Sequence, residues 1–447
     1  MIEISSLSMQ YAATRHRRRS SPAMPKVMAD DNDLAGTHGV LIVGGGQAAV
    51  QLATALRDLG WTSPVTIASE EPHAPYNRPP LSKAFLSGRA DASSLAFRDD
   101  DFYPRAGITL LRSARVTRLR PVAPGHPGVA VTQDGRRLEF GRLALATGAR
   151  PRPLNVPGAD LAGVCYLRDL AHATELRERL AAAQRVLVVG GGFIGLEAAA
   201  SATAGGKDVT VVEATGRLIG RVVAPVVSDF FAAAHRRRGT RIVLGAGVER
   251  FEGAGSQVTG ARLTTGELVP ADLVVIGIGA EPRTELAEQL GLTCSSGIVV
   301  DAFARTSDPA IVAAGDCAVT PHPAAGADLV RLESVGHAID HAKCAAATIA
   351  GVPAPYESVP WFWSDQGTLK LQIAGLSNGF EQTVVRGDPA TEKFSVLYYR
   401  GRQLLAVHAV NVPRDYMAVR RALTAGQQIT PEDAADATRP LRAVAGV

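Results

Sequence analysis

Two stretches decide the fold of this chain: VLIVGGGQAA at residues 40–49 and VLVVGGGFIG at residues 186–195. Each begins with four apolar residues, typical of a buried strand, and continues through a glycine-rich turn into a helical stretch. In the first, Gly44 permits the tight turn, Gly46 lets the backbone approach a pyrophosphate, and Ala49 allows helix and strand to pack closely. The corresponding residues of the second stretch are Gly190, Gly192 and Gly195. Further motif residues predicted to contact the dinucleotides are Ala48, Phe193 and Ile194. Both stretches therefore predict a strand–turn–helix unit that presents a helix N-terminus to phosphate.

An acidic residue follows the next strand of each unit, where a dinucleotide-binding fold holds a ribose hydroxyl. Glu70 and Glu71 take this place in the first unit, and Glu213 takes it in the second. A carboxylate there hydrogen-bonds a 2′-hydroxyl and repels a 2′-phosphate, so Glu213 favours NADH over NADPH. Arg217 and Arg221 lie nearby and could meet a phosphate, which leaves the strictness of the preference open.

The two units together predict two cofactors. One glycine-rich turn is weak evidence, but here two complete units recur with their first glycines 146 residues apart. Two dinucleotide sites in one chain indicate FAD together with NADH or NADPH. The predicted fold class is therefore α/β, with two Rossmann-like domains.

Composition limits the other possibilities. The 447 residues correspond to about three domains at ~150 residues each. A net charge of +4 is too small to indicate nucleic-acid binding, and we find no apolar run of the ~20 residues that would span a membrane. His337 and His341 are one helical turn apart, but no third ligand lies near them, so no metal site is expected; His337 itself is expected at the surface or in a helix cap.

Four cysteines occur, too far apart for a CxxC pair or a zinc knuckle, and they favour a reducing, cytoplasmic location. They are Cys165, Cys294, Cys317 and Cys344.

The first 38 residues contain the basic run 15–19 and are expected to form a disordered extension; a nucleic-acid or anionic-surface arm is the alternative.

Four further segments carry a family resemblance: PYNRPPLSK at 75–83, ATG at 146–148, AGD at 314–316 and WFWSDQ at 361–366. With the two glycine-rich turns, they resemble the two-dinucleotide flavoprotein reductases. Within that group they are similar to the ferredoxin reductases of bacterial oxygenase systems, of the putidaredoxin reductase type. The resemblance implies FAD and NAD domains like those of glutathione reductase, followed by a C-terminal α+β domain.

The resemblance also implies roles for two charged residues. Lys83 would lie by the flavin N5 and pair with Glu197, so that its charge stabilises negative charge on the reduced flavin. The Pro-Pro pair between Arg78 and Lys83 would hold the loop extended before a helix that begins near Leu81. The alternative is that Lys83 and Glu197 are solvated surface charges.

Other flavin and nicotinamide contacts follow from the same resemblance. The first flavin segment would close with Ala146, Thr147 and Gly148. Asp316 would bind the ribityl chain, or cap a helix. Gly279 would lie in the return from the NAD domain to the FAD domain. Independently of the resemblance, the amphipathic ring of Trp363 could flank the isoalloxazine. Trp361 would point to the opposite side if the segment is extended, or belong to the core.

The predicted organisation is nested. Residues 1–38 form the extension, and residues 39–148 together with 277–352 form the FAD-binding domain. The NAD-binding domain is inserted at residues 149–276. The C-terminal domain covers residues 353–447, after a linker rich in proline and glycine.

The function expected from these features is electron transfer from NADH through FAD to a [2Fe–2S] ferredoxin that serves a haem or Rieske oxygenase. The resemblance also implies that a disulfide or sulfenate mechanism is absent. Glutathione-reductase-like enzymes carry two cysteines in the stretch that corresponds to residues 48–78, and NADH oxidases and peroxidases of this fold carry one near residues 85–88. This sequence has no cysteine in either stretch. Rubredoxin or monodehydroascorbate are alternative acceptors. An alternative of another class is a flavoprotein like apoptosis-inducing factor, which responds to NADH and binds nucleic acid.

Overall fold

The computed structural model describes residues 36–326 and 328–444. A five-stranded parallel sheet forms around the strand before the first glycine-rich turn, because that strand is apolar and buried along its whole length. Every neighbouring pair in the sheet is parallel. In spatial order the strands are β19 (Ile311–Ala313), β7 (Arg142–Leu145), β1 (Val40–Val43), β2 (Val65–Ala68) and β3 (Ile108–Leu111).

Alternation along the strands gives this sheet two apolar faces. Val40 and Ile42 face helices α1 (Gln47–Asp58) and α7 (Val335–Ile349), which also pack against each other. Leu41 faces a three-stranded antiparallel sheet on the other side. That sheet consists of β4 (Val116–Arg120), β5 (Gly128–Thr132) and β6 (Arg137–Phe140).

The second glycine-rich turn lies at the edge of a second parallel sheet built in the same way. Its strands, in spatial order, are β12 (Arg241–Leu244), β11 (Asp208–Glu213), β10 (Arg185–Val189), β16 (Leu273–Ile276) and β9 (Val164–Tyr166). Three helices lie along this unit: α3 (Leu170–Ala182), α4 (Phe193–Ala204) and α5 (Pro225–Arg237). A second antiparallel sheet covers the remaining face and contains β13 (Val248–Ala254), β14 (Gln257–Leu263) and β15 (Leu268–Pro270).

The chain crosses between the two parallel-sheet units through an antiparallel pair of strands, β8 (Ala149–Pro151) and β17 (Ala280–Pro282). A small three-stranded sheet follows in the first unit. It contains β18 (Ile298–Val299), β20 (Ala318–Pro321) and β21 (Leu329–Val330). The second unit is thus inserted between strands of the first.

The C-terminal part is a five-stranded antiparallel sheet with helices on one face. Its strands, in spatial order, are β22 (Trp361–Gln366), β23 (Leu369–Gly375), β26 (Gln403–Val410), β25 (Lys393–Arg400) and β24 (Gln382–Asp388). The helices are α8 (Pro413–Thr424), α9 (Pro431–Ala435) and α10 (Leu441–Val444). The opposite face shares a continuous apolar core with the second unit, where the Phe230 and Phe394 rings lie 4.9 Å apart between centroids.

Short elements complete the described part of the chain. Two are short helices, α2 (Phe102–Arg105) and α6 (Glu285–Gln289). Four are 3₁₀ helices, at Pro79–Ser82, Ala92–Leu95, Pro323–Ala325 and Pro389–Thr391. The prediction of an α helix that begins near Leu81 is therefore wrong. A 3₁₀ turn forms instead and ends at Lys83, whose backbone angles are not helical.

The predicted fold class is confirmed: two parallel-sheet dinucleotide-binding units and a C-terminal α+β part. Within the described residues, no helix is long and apolar enough to cross a membrane. Residues 1–35, which make up nearly all of the predicted extension, lie outside the described part, as does the basic run within them.

Candidate active site

A cavity of about 720 Å³ begins at the first glycine-rich turn and extends to the junction of the three parts of the chain. It lies at the carboxyl end of the first parallel sheet, where open α/β sheets bind ligands. The residues predicted to bind FAD that line it are Gly44, Gly46, Ala48, Glu70, Glu71, Arg78, Lys83, Ala146, Thr147, Gly148, Asp316 and Trp363. Ala49 does not line the cavity, because it is fully buried in the core beneath the turn.

The glycines of the first turn match the shape that a pyrophosphate requires. Gly44 has φ +126°, and a Cβ there would lie 2.1 Å from the carbonyl oxygen of Ala146. A Cβ at Gly46 would meet nothing within 4 Å, so this side of the turn is open to the cavity. Gly46 is also the N-cap of α1, and having no side chain it leaves the first N–H groups of the helix free for an anion. These features fit the pyrophosphate of FAD.

The two carboxylates after β2 have different partners. Glu71 accepts hydrogen bonds from the Tyr76 hydroxyl and from Arg78 Nη2, each at 2.5 Å. Burial lowers the pKa of Arg78, but Tyr76 and Glu71 outweigh it and leave the pKa raised. Glu70 pairs instead with Arg283 and lies 3.6 Å from Arg115. Both acids therefore lie at the cavity with a cation beside them.

An arginine that the sequence did not single out lies beside Asp316. Arg168 follows β9 in the second unit, and its Nη2 donates to Asp316 Oδ2 at 2.8 Å. Its backbone carbonyl accepts a hydrogen bond from Arg78 at 3.0 Å. Arg168 lines the cavity and contacts both Asp316 and Arg78 there.

The lysine of the RPPLSK segment and the glutamate after the second fingerprint form an ion pair. Lys83 Nζ lies 2.5 Å from Glu197 Oε2, and the Glu197 side chain is only 1% exposed. Ser82 donates to the same oxygen at 2.6 Å, and Ser364 donates to Oε1 at 2.7 Å. All of these donors point at a group that only accepts, as an ionised carboxylate does. The two residues are therefore not solvated surface charges, and the two serines are site residues that sequence reasoning missed.

The aromatic residues of the WFWSDQ strand reach the same region. Trp363 lines the cavity and also an outer depression beside Pro80 and Asp365. Trp361 stacks on Trp363, with ring centroids 5.6 Å apart. The expectation that Trp361 points to the opposite side is wrong, because residues two apart in a strand share a face.

The second glycine-rich turn repeats the geometry of the first. Gly190 has φ +109°, and a Cβ there would lie 2.4 Å from the Gly277 carbonyl oxygen. A Cβ at Gly195 would lie 2.2 Å from the carbonyl oxygen of Gly190, so the helix packs directly on the turn. Gly192 is open, because a Cβ there would have its nearest neighbour 3.9 Å away. This turn therefore also fits a dinucleotide pyrophosphate.

The charged residues near the second turn differ in how they are held. Glu213 accepts from the Gly191 N–H at 2.7 Å and from the Thr215 N–H at 2.8 Å. Arg217 donates to backbone carbonyls of its own loop, including that of Gly220 at 3.1 Å. Arg221 lies close to Gly279: its Nη2 atom is 3.7 Å from the position that a Cβ on Gly279 would take.

The predicted NAD residues divide into two groups. Those that also line the FAD cavity are Phe193, Ile194 and Glu197. Those that lie outside it are Gly190, Gly192, Gly195, Glu213, Arg217, Arg221 and Gly279. The start of α4 is therefore the element that connects the two dinucleotide sites.

The two histidines of α7 are both buried, so the expectation of a surface position for His337 is wrong. His337 Nδ1 lies 2.9 Å from the Tyr356 hydroxyl, and burial lowers its pKa to about 4. Ser334, not His337, caps the helix. Among the described residues, no group of three or more potential ligands is placed to hold a metal ion.

Comparison with known proteins finds a matching family for each of two stretches of the chain. The family of pyridine nucleotide-disulphide oxidoreductases matches residues 38–343, and the reductase C-terminal family matches residues 361–445. Rhodocoxin reductase of Rhodococcus erythropolis is 44% identical over 89% of this chain and 92% of its own. Rubredoxin-NAD(+) reductase of Ectopseudomonas oleovorans is 38% identical over 84% and 96%. The covalent complex of putidaredoxin reductase with putidaredoxin superposes with a TM-score of 0.87 at 39% identity, covering 91% and 98%.

Proposed function

Because the chain belongs to the pyridine nucleotide-disulphide oxidoreductase family, we propose that it passes electrons from NADH through FAD to a [2Fe–2S] ferredoxin that serves an oxygenase. It is an oxidoreductase whose cofactors are FAD and NAD(H). The relatives named rhodocoxin reductase and putidaredoxin reductase, the latter solved in complex with putidaredoxin, support a ferredoxin as the acceptor.

One observation carries the choice of an external acceptor: no cysteine lines the flavin cavity in the part of the chain that the structure describes. Burial raises the pKa of Cys165 to about 11 and that of Cys344 to about 12. Thiols with such values stay protonated at neutral pH and are poor nucleophiles. Electrons therefore leave the flavin without passing through a protein disulfide.

Bound FAD supplies a centre that accepts a hydride and releases electrons one at a time. The chain contributes position and charge. The turn at Gly44–Gly46 and the N-terminus of α1 hold pyrophosphate, while Asp316 accepts from the ribityl hydroxyls and Glu213 binds the NADH ribose. Lys83, fixed by Glu197, places a positive charge at the wall of the cavity. Trp363, which lines both the cavity and the outer depression, would flank bound flavin.

Rapid mixing with NADH tests the first half of the reaction. We expect the flavin absorbance to bleach in a single turnover with NADH and more slowly with NADPH. A purified yellow protein that does not bleach with either nucleotide would contradict the proposal.

Steady-state reduction of cytochrome c tests the acceptor. We expect NADH-dependent reduction to rise when a [2Fe–2S] ferredoxin of an oxygenase system is added. Rubredoxin is the second candidate acceptor, because rubredoxin-NAD(+) reductase is among the relatives. Faster electron transfer to rubredoxin than to any ferredoxin tested would show that rubredoxin, not a ferredoxin, is the acceptor.

The domain division and the location are also proposals. The pairing of β8 with β17 supports boundaries near residues 149 and 277 for the NAD-binding domain, and a C-terminal domain from about residue 353. The four free cysteines support a cytoplasmic location.

A further inference from the structure

Glu197 is the end of a hydrogen-bond chain that the proposed function does not use. Ser364 donates to Glu197 Oε1 at 2.7 Å, and Gln366 Nε2 donates to Ser364 Oγ at 3.2 Å. Gln366 Oε1 lies 2.8 Å from Nε2 of His235. The chain runs from α4 of the second unit to strand β22 and back to helix α5 of the second unit.

All four members of this chain are buried, with His235 only 2% exposed and the others no more than that. Bulk solvent does not supply a missing donor at such depth, so each link depends on the one behind it. Burial lowers the pKa of His235, and the ring is therefore neutral at pH 7 with a single N–H.

The tautomer of His235 sets the direction of the whole chain. A carbonyl oxygen only accepts, so the proton between His235 and Gln366 is on Nε2 of the imidazole. With its oxygen toward His235, the same amide presents its NH₂ to Ser364. The Ser364 oxygen accepts a hydrogen bond from this NH₂ group, which leaves the Ser364 hydroxyl hydrogen to donate to Glu197. With the amide turned round, Ser364 would donate to Gln366 instead, and Glu197 would lose a donor.

We propose that His235 and Gln366 are positioning residues that keep the Ser364 hydroxyl aimed at Glu197 and thereby hold Glu197 in place against Lys83. The proposal rests on the proposed function, because it assigns the chain to the lysine–glutamate pair at the flavin. Its consequence is that a buried imidazole in the NAD-binding unit controls how much of the Lys83 charge is available to the flavin.

A purely structural role is the competing explanation. The chain also joins β22 to α5, and its loss could simply loosen that contact. His408 offers a matched control, since it is a buried histidine in the adjoining sheet. It is bonded to the Tyr398 hydroxyl at 2.7 Å, and Tyr398 accepts from Ala224 of the second unit. Within the described residues, these hydrogen bonds do not lead to Glu197.

The test uses the FAD-loaded full chain and the variants Gln366→Met, His235→Phe, His235→Gln and His408→Phe. Gln366→Met and His235→Phe should lower the limiting rate of flavin reduction by NADH about tenfold, the size of one hydrogen bond to a charged group. The NADH concentration that gives half the limiting rate should not change, because both residues are buried, at no more than 2% exposure, and do not reach a bound nucleotide.

The midpoint potential of the bound flavin gives a readout independent of turnover. With one hydrogen-bond donor fewer, the Glu197 carboxylate should pair more strongly with the Lys83 ammonium. Less positive charge then stabilises the reduced flavin, so the midpoint potential should become more negative in Gln366→Met and His235→Phe. His235→Gln can donate from an amide nitrogen near the Nε2 position, and it should restore both rate and potential. His408→Phe should lower the unfolding temperature and leave rate and potential as in the parent.

The inference is overturned if Gln366→Met and His235→Phe change only the unfolding temperature, as His408→Phe does. Should a variant fail to fold, Ser364→Ala removes the last link with a smaller change and must show the same two effects. Glu197→Gln separates this inference from the proposed function. If Glu197→Gln itself changes neither readout, the role of the lysine–glutamate pair is wrong and the inference falls with it. If Glu197→Gln changes both and the chain variants change neither, only the inference fails.

Discussion

Gly44 and Gly46 stand two residues apart in one turn, yet each is a glycine for a different reason. Gly44 adopts a positive φ and abuts the backbone of the neighbouring strand, so any side chain there is strained. Gly46 has no such constraint from the protein, and the space beside it is open. The fold therefore requires a glycine at the first position, whereas at the second the glycine leaves room for a ligand.

Substitution of these two residues should separate the two roles. Gly46→Val should leave the free energy of unfolding of the FAD-free protein nearly unchanged but abolish retention of FAD. Gly44→Val should lower that free energy by several kcal/mol, because it forces a clash with the carbonyl of Ala146. Urea unfolding and the ratio of flavin to protein absorbance measure the two effects. A Gly46→Val protein that retains its flavin would place the pyrophosphate elsewhere.

Glu213 carries the prediction on nucleotide choice. Glu213→Ser removes a charged acceptor from the ribose and the repulsion of a 2′-phosphate, so the NADPH/NADH ratio of kcat/KM should rise by about tenfold or more. Glu267→Ser is the control, because Glu267 is a surface partner of Arg241 in the same unit. An unchanged ratio in Glu213→Ser would show that another group reads the ribose.

At the scale of single elements, helix α7 shows that histidines can lie in the core rather than at the surface. It packs along α1 with its histidines turned into the core. His337 has a partner in Tyr356, while neither ring nitrogen of His341 has a hydrogen-bond partner among the described residues. A buried polar group without a partner lowers stability.

His341→Leu should therefore stabilise the protein, raising the free energy of unfolding by about 1–3 kcal/mol. His337→Leu is the matched comparison, since it leaves the Tyr356 hydroxyl without its partner and should stabilise less or destabilise. Urea unfolding of the two variants compares them directly. A loss of stability in His341→Leu would mean that its nitrogens are satisfied by an internal water molecule.

At the scale of the whole molecule, the buried histidines predict how stability depends on pH. Burial lowers the pKa of His337 to about 4 and that of His408 to about 3, against about 6.5 in an unfolded chain. Between these values the unfolded state binds more protons than the folded state, so the free energy of unfolding falls as the pH falls. Each of these two histidines should contribute a loss of about 2 kcal/mol between pH 7 and pH 5.

Urea unfolding at pH 7 and pH 5 measures this loss. His408→Phe should remove the contribution of His408 from the difference between the two pH values, whatever its effect at either pH alone. A difference that is the same in parent and variant would contradict the assignment.

The division between what the sequence predicted and what it missed follows the range of the interactions. The two glycine-rich turns and the acids after the strands were predicted, because local spacing determines each of them. Arg168, Ser82 and Ser364 were missed, since their roles arise only when distant segments meet; Ser364 lies 167 positions from the glutamate it contacts. No local pattern marks a serine as the donor to a particular buried carboxylate.

The apolar core shared by the second unit and the C-terminal sheet also limits how this reductase can be re-engineered. Phe230, Tyr398 and Val396 belong to one continuous set of buried side chains, so neither part presents a finished surface when it is separated from the other. A chimera designed to accept a different electron-transfer partner should exchange both parts together, with the seam placed at the β8–β17 crossing. Grafting only the C-terminal sheet would leave two mismatched halves of a core, and the resulting protein should aggregate rather than change specificity.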